Sequence, residues 1–189
     1  MKQASSFPIK IYSAIKFVAL LFCFTGIYHT HVYAQQRKLI YDVTRNGKNI
    51  GEIIFIDITR DQKKYINLTS DVKTRFVFSF TDHSIETAEY ENGILKYSSF
   101  YQQQNGAYKA RKMTFASGNY YKLVDNGAAK LVNFRPINYN MLLLYISVPE
   151  NITKVYSDNY QTLLELKKVA ENKYRLTLPG GDYNYYTYT

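Results

Sequence analysis

The chain has 189 residues and a net charge of +9, with one cysteine, three histidines, 20 tyrosines and 11 phenylalanines. One cysteine excludes a disulfide within the chain and any site built on paired thiolates. The cations are spread along the sequence and form no basic stripe, so we expect no nucleic-acid partner.

The first 34 residues contain the parts of a secretory signal peptide in the usual order. Three lysines precede an apolar run over residues 17–24, and the small residue Ala34 closes the stretch. The apolar run is too short to span a membrane. We therefore predict cleavage after Ala34, a mature protein in the periplasm or outside the cell, and no transmembrane span once the leader is removed.

Residues 35–189 have a length that suits one domain with a single hydrophobic core. Cleavage would remove Cys23, two of the three histidines and three lysines, which lowers the net charge from +9 to +6. The mature chain then has no thiol and one histidine, His83, so neither a cysteine nucleophile nor a zinc site with two histidines can form. We predict no metal and no cofactor.

Apolar residues recur with period two through most of the mature chain, which is typical of strands with one buried face. Asn-Gly pairs interrupt the pattern at hairpin spacing and favour type I′ turns. Gly51 indicates a bulge or a close approach of two backbones. Together these patterns predict an antiparallel meander. Its predicted strands are residues 38–44, 49–59, 84–90, 94–103, 108–116, 120–124 and 128–133.

Residues 65–80 have the longest alternating pattern. Apolar or small residues from Ile66 to Phe80 keep one parity, while polar residues from Asn67 to Arg75 keep the other. We expect the first set to be buried and the second to be exposed. One unbroken strand of this length would run roughly 50 Å, so it would have to twist and coil. The pattern therefore predicts a strongly curved sheet, open or closed into a barrel.

Asn138 to Ser147 departs from the strand pattern because residues 141–146 are apolar on all sides. An Asn that can cap a helix precedes this run, and Pro149 follows it. We predict one short buried helix on the concave side of the sheet. A buried strand is the alternative, since periodicity cannot separate the two in so short a run.

The C-terminal part of the chain gives mixed signals. Residues 161–169 fit a helix or a strand, whereas residues 174–178 alternate as a strand and the Pro-Gly-Gly of residues 179–181 predicts a turn. Residues 183–189 have aromatic rings at both parities and no charge, unlike most edge strands. We expect this stretch to pair through one edge, and the chain to be a truncated version of a longer protein. A natural C-terminal strand is the alternative.

Acid–base chemistry in the mature chain would depend on carboxylates or on His83, which we expect in a polar, solvated corner between strands. Glu89 and Glu91 share one strand face and Glu86 takes the other. Nothing in the sequence selects a pair of carboxyls at the separation of about 5–10 Å that glycoside hydrolysis needs. We interpret these residues as charged positions on solvated strands and expect no enzymatic activity. A carboxylate-based hydrolase is the third hypothesis for function.

The abundant tyrosine and phenylalanine residues suggest two uses. Strand propensity and cross-strand packing explain most of them. A groove lined with rings, able to hold an acyl chain or a sugar, explains the surplus. The candidate ligand-lining residues are Phe76, Phe78, Phe80 and Leu143.

Several stretches together resemble a known family: the hairpin YDVTRNGKNIGEI, the stretch KTRFVFSF, the hairpins in ENGILKYSSFYQQQNG and the segment PINYNMLLLYISVPE. They are similar to a bacterial family of exported proteins catalogued as domain of unknown function 6134, over nearly all of the mature chain. These motifs are turns and strand patterns, and the resemblance implies no catalytic or ligand-binding residue. The architecture also resembles LolA-like and lipocalin-like open barrels, which hold lipid on a curved sheet.

The sequence thus predicts an all-β protein with a strongly curved antiparallel meander sheet and one short buried helix. We expect an exported, monomeric, non-enzymatic protein that binds an apolar or amphipathic molecule of the cell envelope, a lipid or a glycan, in the concavity of the sheet. The rival hypothesis is a structural or protein-interaction module whose helix fills the sheet and leaves no cavity.

Overall fold

The computed structural model describes residues 34–75 and 79–188, and Ala34–Thr189 form one compact unit. The predicted leader lies outside the described residues, apart from Ala34. Eight strands follow one another as an antiparallel meander, each paired with the next along the chain. They are β1 Gln35–Arg45, β2 Lys48–Arg60, β3 Lys63–Arg75, β4 Ser79–Glu91, β5 Ile94–Gln104, β6 Ala107–Ser117, β7 Tyr120–Asp125 and β8 Ala128–Val132.

A second, smaller layer follows the meander in the sequence. It begins with a 3-10 helix, Met141–Tyr145, and continues as a four-stranded antiparallel sheet in the order β12-β11-β10-β9. Its strands are β9 Lys154–Ser157, β10 Thr162–Ala170, β11 Lys173–Thr177 and β12 Tyr183–Thr187. The protein is therefore all-β, as predicted, but its strands divide into two sheets. No helix in the described part of the chain has the length and apolar character needed to cross a bilayer.

Asn-Gly turns set the register of the meander. In the first of them Asn46 has φ 50° and Gly47 has φ 73°, the left-handed conformations that a type I′ turn requires at both positions. The same signature recurs in the turns β4–β5, β5–β6 and β7–β8. These four hairpins confirm the sequence prediction. β1 and β8 lie at the two edges of the sheet, so the described strands form an open sheet.

Gly51 combines the two features that its position in a strand indicated. Val43 faces Gly51 and Thr44 faces Asn49, so Ile50 is an extra residue that forms a β-bulge. A Cβ atom at position 51 would overlap the backbone oxygen of Asp71 and lie 2.8 Å from the Cα of Val72. Only glycine allows the backbones of β2 and β3 to approach this closely.

We expect Gly51→Ala to destabilise the fold by about 1–3 kcal/mol or more, because the obstructing atoms are backbone and cannot rotate away. Urea unfolding followed by circular dichroism measures this. Glu52→Ala is the matched control, since the Glu52 side chain is exposed and its loss should cost no more than about 0.5 kcal/mol. Equal effects of the two substitutions would contradict the close approach.

The single long strand predicted over residues 65–80 is wrong. β3 ends at Arg75 and the chain turns back, so that Thr74 faces Phe80 on the next strand. Along β3 itself Ile66 and Leu68 are buried and Asp71, Lys73 and Arg75 are exposed, as predicted, whereas Asn67 is half-buried rather than exposed. Phe80 is 37% exposed near the hairpin end, so its predicted burial is wrong as well. The predicted burial of Phe76 and Phe78 falls outside the described residues.

The helix predicted at residues 138–147 is present but is shorter and tighter than an α-helix. Asn140 precedes the helix, but its side chain makes no cap hydrogen bond. The side-chain Nδ2 of Asn140 instead donates to Asp158 Oδ2 at 3.0 Å. Because a 3-10 helix has three residues per turn, residues three apart share a face. Leu142 packs into the core under the eight-stranded sheet, whereas Leu144 packs into the core of the small sheet.

β12 pairs with β11 and has no second partner among the described strands, as the sequence predicted. Tyr186 and Tyr188 pack against the core of the small sheet. Tyr183 and Tyr185 are exposed on the other face, where Arg175 and Lys173 lie over their rings at 4.6 and 5.1 Å from the centroids. Aromatic rings on both faces of this strand therefore have different roles, one in packing and one in cation–π contacts.

Candidate functional site

The structure does not bring the predicted ligand-lining residues together. Phe80 lies near the first end of β4, and Tyr90, near the other end of β4, lies beside Leu143 at a cavity. Ten residues of strand separate Phe80 from Tyr90, a distance of roughly 33 Å. Phe76 and Phe78 are outside the described residues. Of the four candidates, Leu143 alone is described at the edge of a cavity.

This cavity, which we call the hairpin-end cavity, lies where two hairpins meet the 3-10 helix and has a volume of about 610 Å³. Such a volume is within the range of about 300–1,000 Å³ that small-molecule sites occupy. It joins three segments that are distant in the sequence. Its lining residues are Thr59, Asp61, Gln62, Lys63, Lys64, Tyr90, Asn92, Gly93, Asn138 and Leu143.

Backbone hydrogen bonds hold these segments side by side. The Asn92 amide donates to the Gln62 carbonyl at 2.9 Å and so joins the turns of the two hairpins. The Leu95 amide donates to the Ile137 carbonyl at 2.8 Å, and the Ile137 amide donates to the hydroxyl of Tyr121 at 3.0 Å. These bonds place the segment that leads into the 3-10 helix over the end of the sheet.

An adjoining cavity, also of about 610 Å³, shares Asp61, Lys63, Lys64 and Tyr90 with the first. Most of its other lining residues belong to the outward face of the sheet. They are Ile58, Arg60, Tyr65, Glu89, Glu91 and Lys96. The surface at the end of the β2–β3 hairpin is therefore concave, and this second cavity is lined by four cationic and three carboxylate side chains.

Two lysines at the hairpin-end cavity differ in how firmly they are held. Lys64 Nζ lies 3.6 Å from Asp57 Oδ2, and Arg37 Nη2 lies 3.1 Å from the same oxygen, so a buried carboxylate anchors both cations. Lys63 Nζ lies 3.6 Å from Glu91 Oε1, but its side chain is 76% exposed. An exposed pair of this kind is worth about 0–1 kcal/mol, so Lys63 can turn toward a ligand at little cost.

Tyr90 lines both cavities and also contacts the buried Asn140. Its side chain is buried, and its hydroxyl accepts a hydrogen bond from the backbone amide of Asn140 at 3.1 Å. Burial raises the pKa of Tyr90 well above its usual value, and the negative charge of Asp158 adds to the effect. The residue is therefore a neutral phenol that presents an apolar ring to the cavity.

Behind Tyr90 lies a group that we call the interior carboxyl cluster: Glu86, Ser98, Asn140 and Asp158. Glu86 and Ser98 come from the core face of β4 and β5. Asn140 precedes the 3-10 helix and Asp158 follows β9, both in the smaller layer of the 3-10 helix and β9–β12, which we call the covering layer. Burial, together with the smaller effect of the charge of Asp158, raises the pKa of Glu86 to about 8. The pKa of Asp158 is raised to about 7, because burial outweighs the hydrogen bond from Asn140 and the proximity of the Ser98 hydroxyl, which both act to lower it.

Glu86 is half-buried on the core face of β4, so our interpretation of it as a solvated charge is wrong. Glu86 shares its parity with Ser84, Ala88 and Tyr90, which are all buried, and that alternation was the signal for an inward position. No sequence signal marks Asp158, because its burial depends on a turn that folds over the large sheet.

His83 lies within β4 rather than at a corner between strands, so that prediction is wrong as well. It faces Asp71 on β3, and its Nδ1 lies 2.6 Å from Asp71 Oδ1. The His83 side chain is 35% exposed. The described residues contain no group of three or more His, Cys, Asp or Glu side chains that could hold a metal ion.

Comparison with known families assigns the chain to one of them. The family model described as domain of unknown function, DUF6134, matches residues 41–189, so the chain belongs to this family. The match confirms the resemblance that the hairpin and helix-region motifs indicated. No curated protein and no solved structure matches the chain significantly.

Proposed function

We propose that this member of the family is an exported, non-enzymatic binding protein that takes an amphipathic envelope molecule with an anionic headgroup. The hairpin-end cavity carries the proposal, because it places the apolar surfaces of Tyr90 and Leu143 next to the cations of Lys63 and Lys64. An acyl chain would lie against Tyr90 and Leu143, and a carboxylate or phosphate group would lie near the two lysines.

The lining of the cavity contains two lysines and one carboxylate, Asp61, so its formal charge of +1 favours an anion. The protein has an excess of cations overall, and Lys63 lies on the rim with a weak partner. A headgroup that approaches Lys63 therefore competes with a solvent-exposed carboxylate rather than with a buried one. Lys64 keeps its contact with Asp57 and contributes a fixed positive charge at the same rim.

The absence of catalysis is part of the proposal. Asp158 is 2% exposed and lies behind Tyr90, so a substrate in the cavity would not reach its carboxyl without moving the tyrosine. In this proposal the protein acts in the periplasm or outside the cell as a monomer. A curvature of the eight-stranded sheet into an open half-barrel is part of the same proposal.

We expect Lys63→Glu to weaken the binding of a fluorescent fatty acid about tenfold, because it replaces attraction to the carboxylate by repulsion. Titration of the probe into the purified protein, followed by its displacement with unlabelled fatty acid, measures this. Native mass spectrometry of protein purified from its own envelope would identify the natural ligand.

Lys73→Glu is the matched control, since Lys73 is exposed at the other end of β3 and does not line the cavity. It makes the same charge change and should leave the affinity within about twofold. If both variants weakened binding equally, the long-range field of the protein and not the cavity would attract the probe.

The structural module remains the second candidate because of one observation. Leu142 is buried in the core under the large sheet, and Leu144 is buried in the separate core of the small sheet. Any ligand would have to bind at the end of the sheet rather than beneath its centre. A wild-type protein that bound no fatty-acid probe and retained no lipid or glycan would favour this second function.

A further inference from the structure

The interior carboxyl cluster contains three oxygen atoms that lack hydrogen-bond partners. They are Asp158 Oδ1, Asn140 Oδ1 and Ser98 Oγ, and each residue is at least 98% buried. The other oxygen of Asp158 accepts a hydrogen bond from Asn140 Nδ2 at 3.0 Å, which fixes these two side chains against each other. Ser98 is close enough to Asp158 to lower its pKa, yet its hydroxyl lacks the geometry of a hydrogen bond.

Glu86 adds a second carboxyl from the same face of the sheet. Ala88 faces Ser98 and Glu86 faces Phe100, so Glu86 and Ser98 are diagonal neighbours on the core side. The charge of Asp158 acts on Glu86, and the charge of Glu86 acts on Tyr145 and Tyr186 in the covering layer. The half-buried Glu86 is therefore next to Ser98 on the core side of the large sheet, and Ser98 in turn lies beside Asp158.

No cationic side chain in the described part of the chain forms a salt bridge with either carboxyl. The nearest lysine by topology, Lys112, donates to the Asn159 carbonyl at 2.5 Å and lies 3.6 Å from Asp125. Buried carboxylates are normally paired with cations or bound to metal ions, because an isolated buried charge is costly. Unpartnered oxygens beside unpaired carboxyls indicate that a cation is the missing partner.

The chemistry of the donors selects the class of ion. Two carboxylates, one amide oxygen and one hydroxyl form an all-oxygen set with a charge of about −2, which hard divalent cations prefer over softer metals. Amide and hydroxyl oxygens are ordinary partners of Ca²⁺, whose coordination is flexible, whereas Mg²⁺ demands strict octahedral geometry. We propose that Glu86, Ser98, Asn140 and Asp158 form a buried Ca²⁺-binding site that fastens the covering layer to the large sheet.

Terbium luminescence tests this site directly, because Tb³⁺ replaces Ca²⁺ and is excited by energy transfer from nearby tyrosines. Tyr90 and Tyr156 are both close enough to Asp158 to be affected by its charge. We expect saturable Tb³⁺ emission from the exported protein at neutral pH, and displacement of Tb³⁺ by Ca²⁺ but poorly by Mg²⁺. Ca²⁺ should also raise the melting temperature of the chelator-treated protein by several degrees.

Asp158→Asn and Glu86→Gln keep the shape of the side chains and should each reduce the emission at least tenfold. Asp57→Asn is the control, since Asp57 is a buried carboxylate that already has Arg37 and Lys64 as partners, and it should leave the emission unchanged. Emission that is unsaturable or equal in all variants would overturn the site. So would a melting temperature that Ca²⁺ does not change, which would indicate that protons or a water molecule occupy the cluster.

Discussion

Ile66→Asp should prevent the protein from folding. Ile66 is fully buried in β3, near the centre of the core under the eight-stranded sheet. Its removal from the core costs about 1.5–3 kcal/mol of hydrophobic stabilisation. An unpaired carboxylate at the same place adds several kcal/mol more, or must remain protonated. The sum approaches the total stability of about 5–15 kcal/mol that a domain of this size has.

Far-UV circular dichroism and the dispersion of amide signals in an NMR spectrum would show the loss of structure. Lys73→Asp introduces the same side chain on the opposite face of the same strand, where it remains in water. It should change the free energy of unfolding by no more than about 0.5 kcal/mol. Similar losses in the two variants would mean that the faces of β3 are assigned wrongly.

The meander could be predicted from the sequence because its turns are local. Asn-Gly pairs specify positive φ at two adjacent positions, and the alternation on either side of each pair fixes which residues face inward. The reversal between β3 and β4 lacked such a signal. Residues 76–80 contain no glycine, asparagine or proline, and their alternation continues that of β3. Because the alternation continued without turn residues, the sequence predicted one strand where the structure has a hairpin.

The second sheet could not be predicted because pairing between distant strands leaves no local pattern. β9 shows the difficulty most clearly. Val155 packs into the core of the small sheet and Tyr156 into the core of the large one, so the strand is buried on both faces. A polar–apolar alternation is therefore absent from it. Strands buried on both sides and short buried helices have the same composition, and sequence periodicity does not separate them.

The candidate site shows the same limit. Leu143 was chosen from its place in an apolar segment, and it lies at the hairpin-end cavity. Lys63, Lys64 and Tyr90 were missed because the cavity forms from three segments that are at least 26 residues apart in the sequence. Only the folded chain brings these segments together. A charged residue next to a turn is ordinary in a sequence. It becomes a candidate ligand only when the fold places an apolar wall beside it.

The 3-10 helix and β9 together form a wall that both cores share. Met141 and Leu144 face the small sheet, while Leu142 and Tyr145 face the large one. This spacing of three follows from the three residues per turn of a 3-10 helix. A change on one face of the wall should therefore loosen one sheet before it affects the other.

Leu144→Ala tests this arrangement and should destabilise the protein by about 2–5 kcal/mol, because it opens a cavity in a buried core. We expect hydrogen exchange of amides in β9–β12 to accelerate by a hundredfold or more, while amides in β2–β5 keep most of their protection. Leu131→Ala is the control, since Leu131 is 68% exposed on β8 and its truncation should change little. Equal acceleration of hydrogen exchange in both sheets would contradict this expectation. It would show that the two cores open as one cooperative unit.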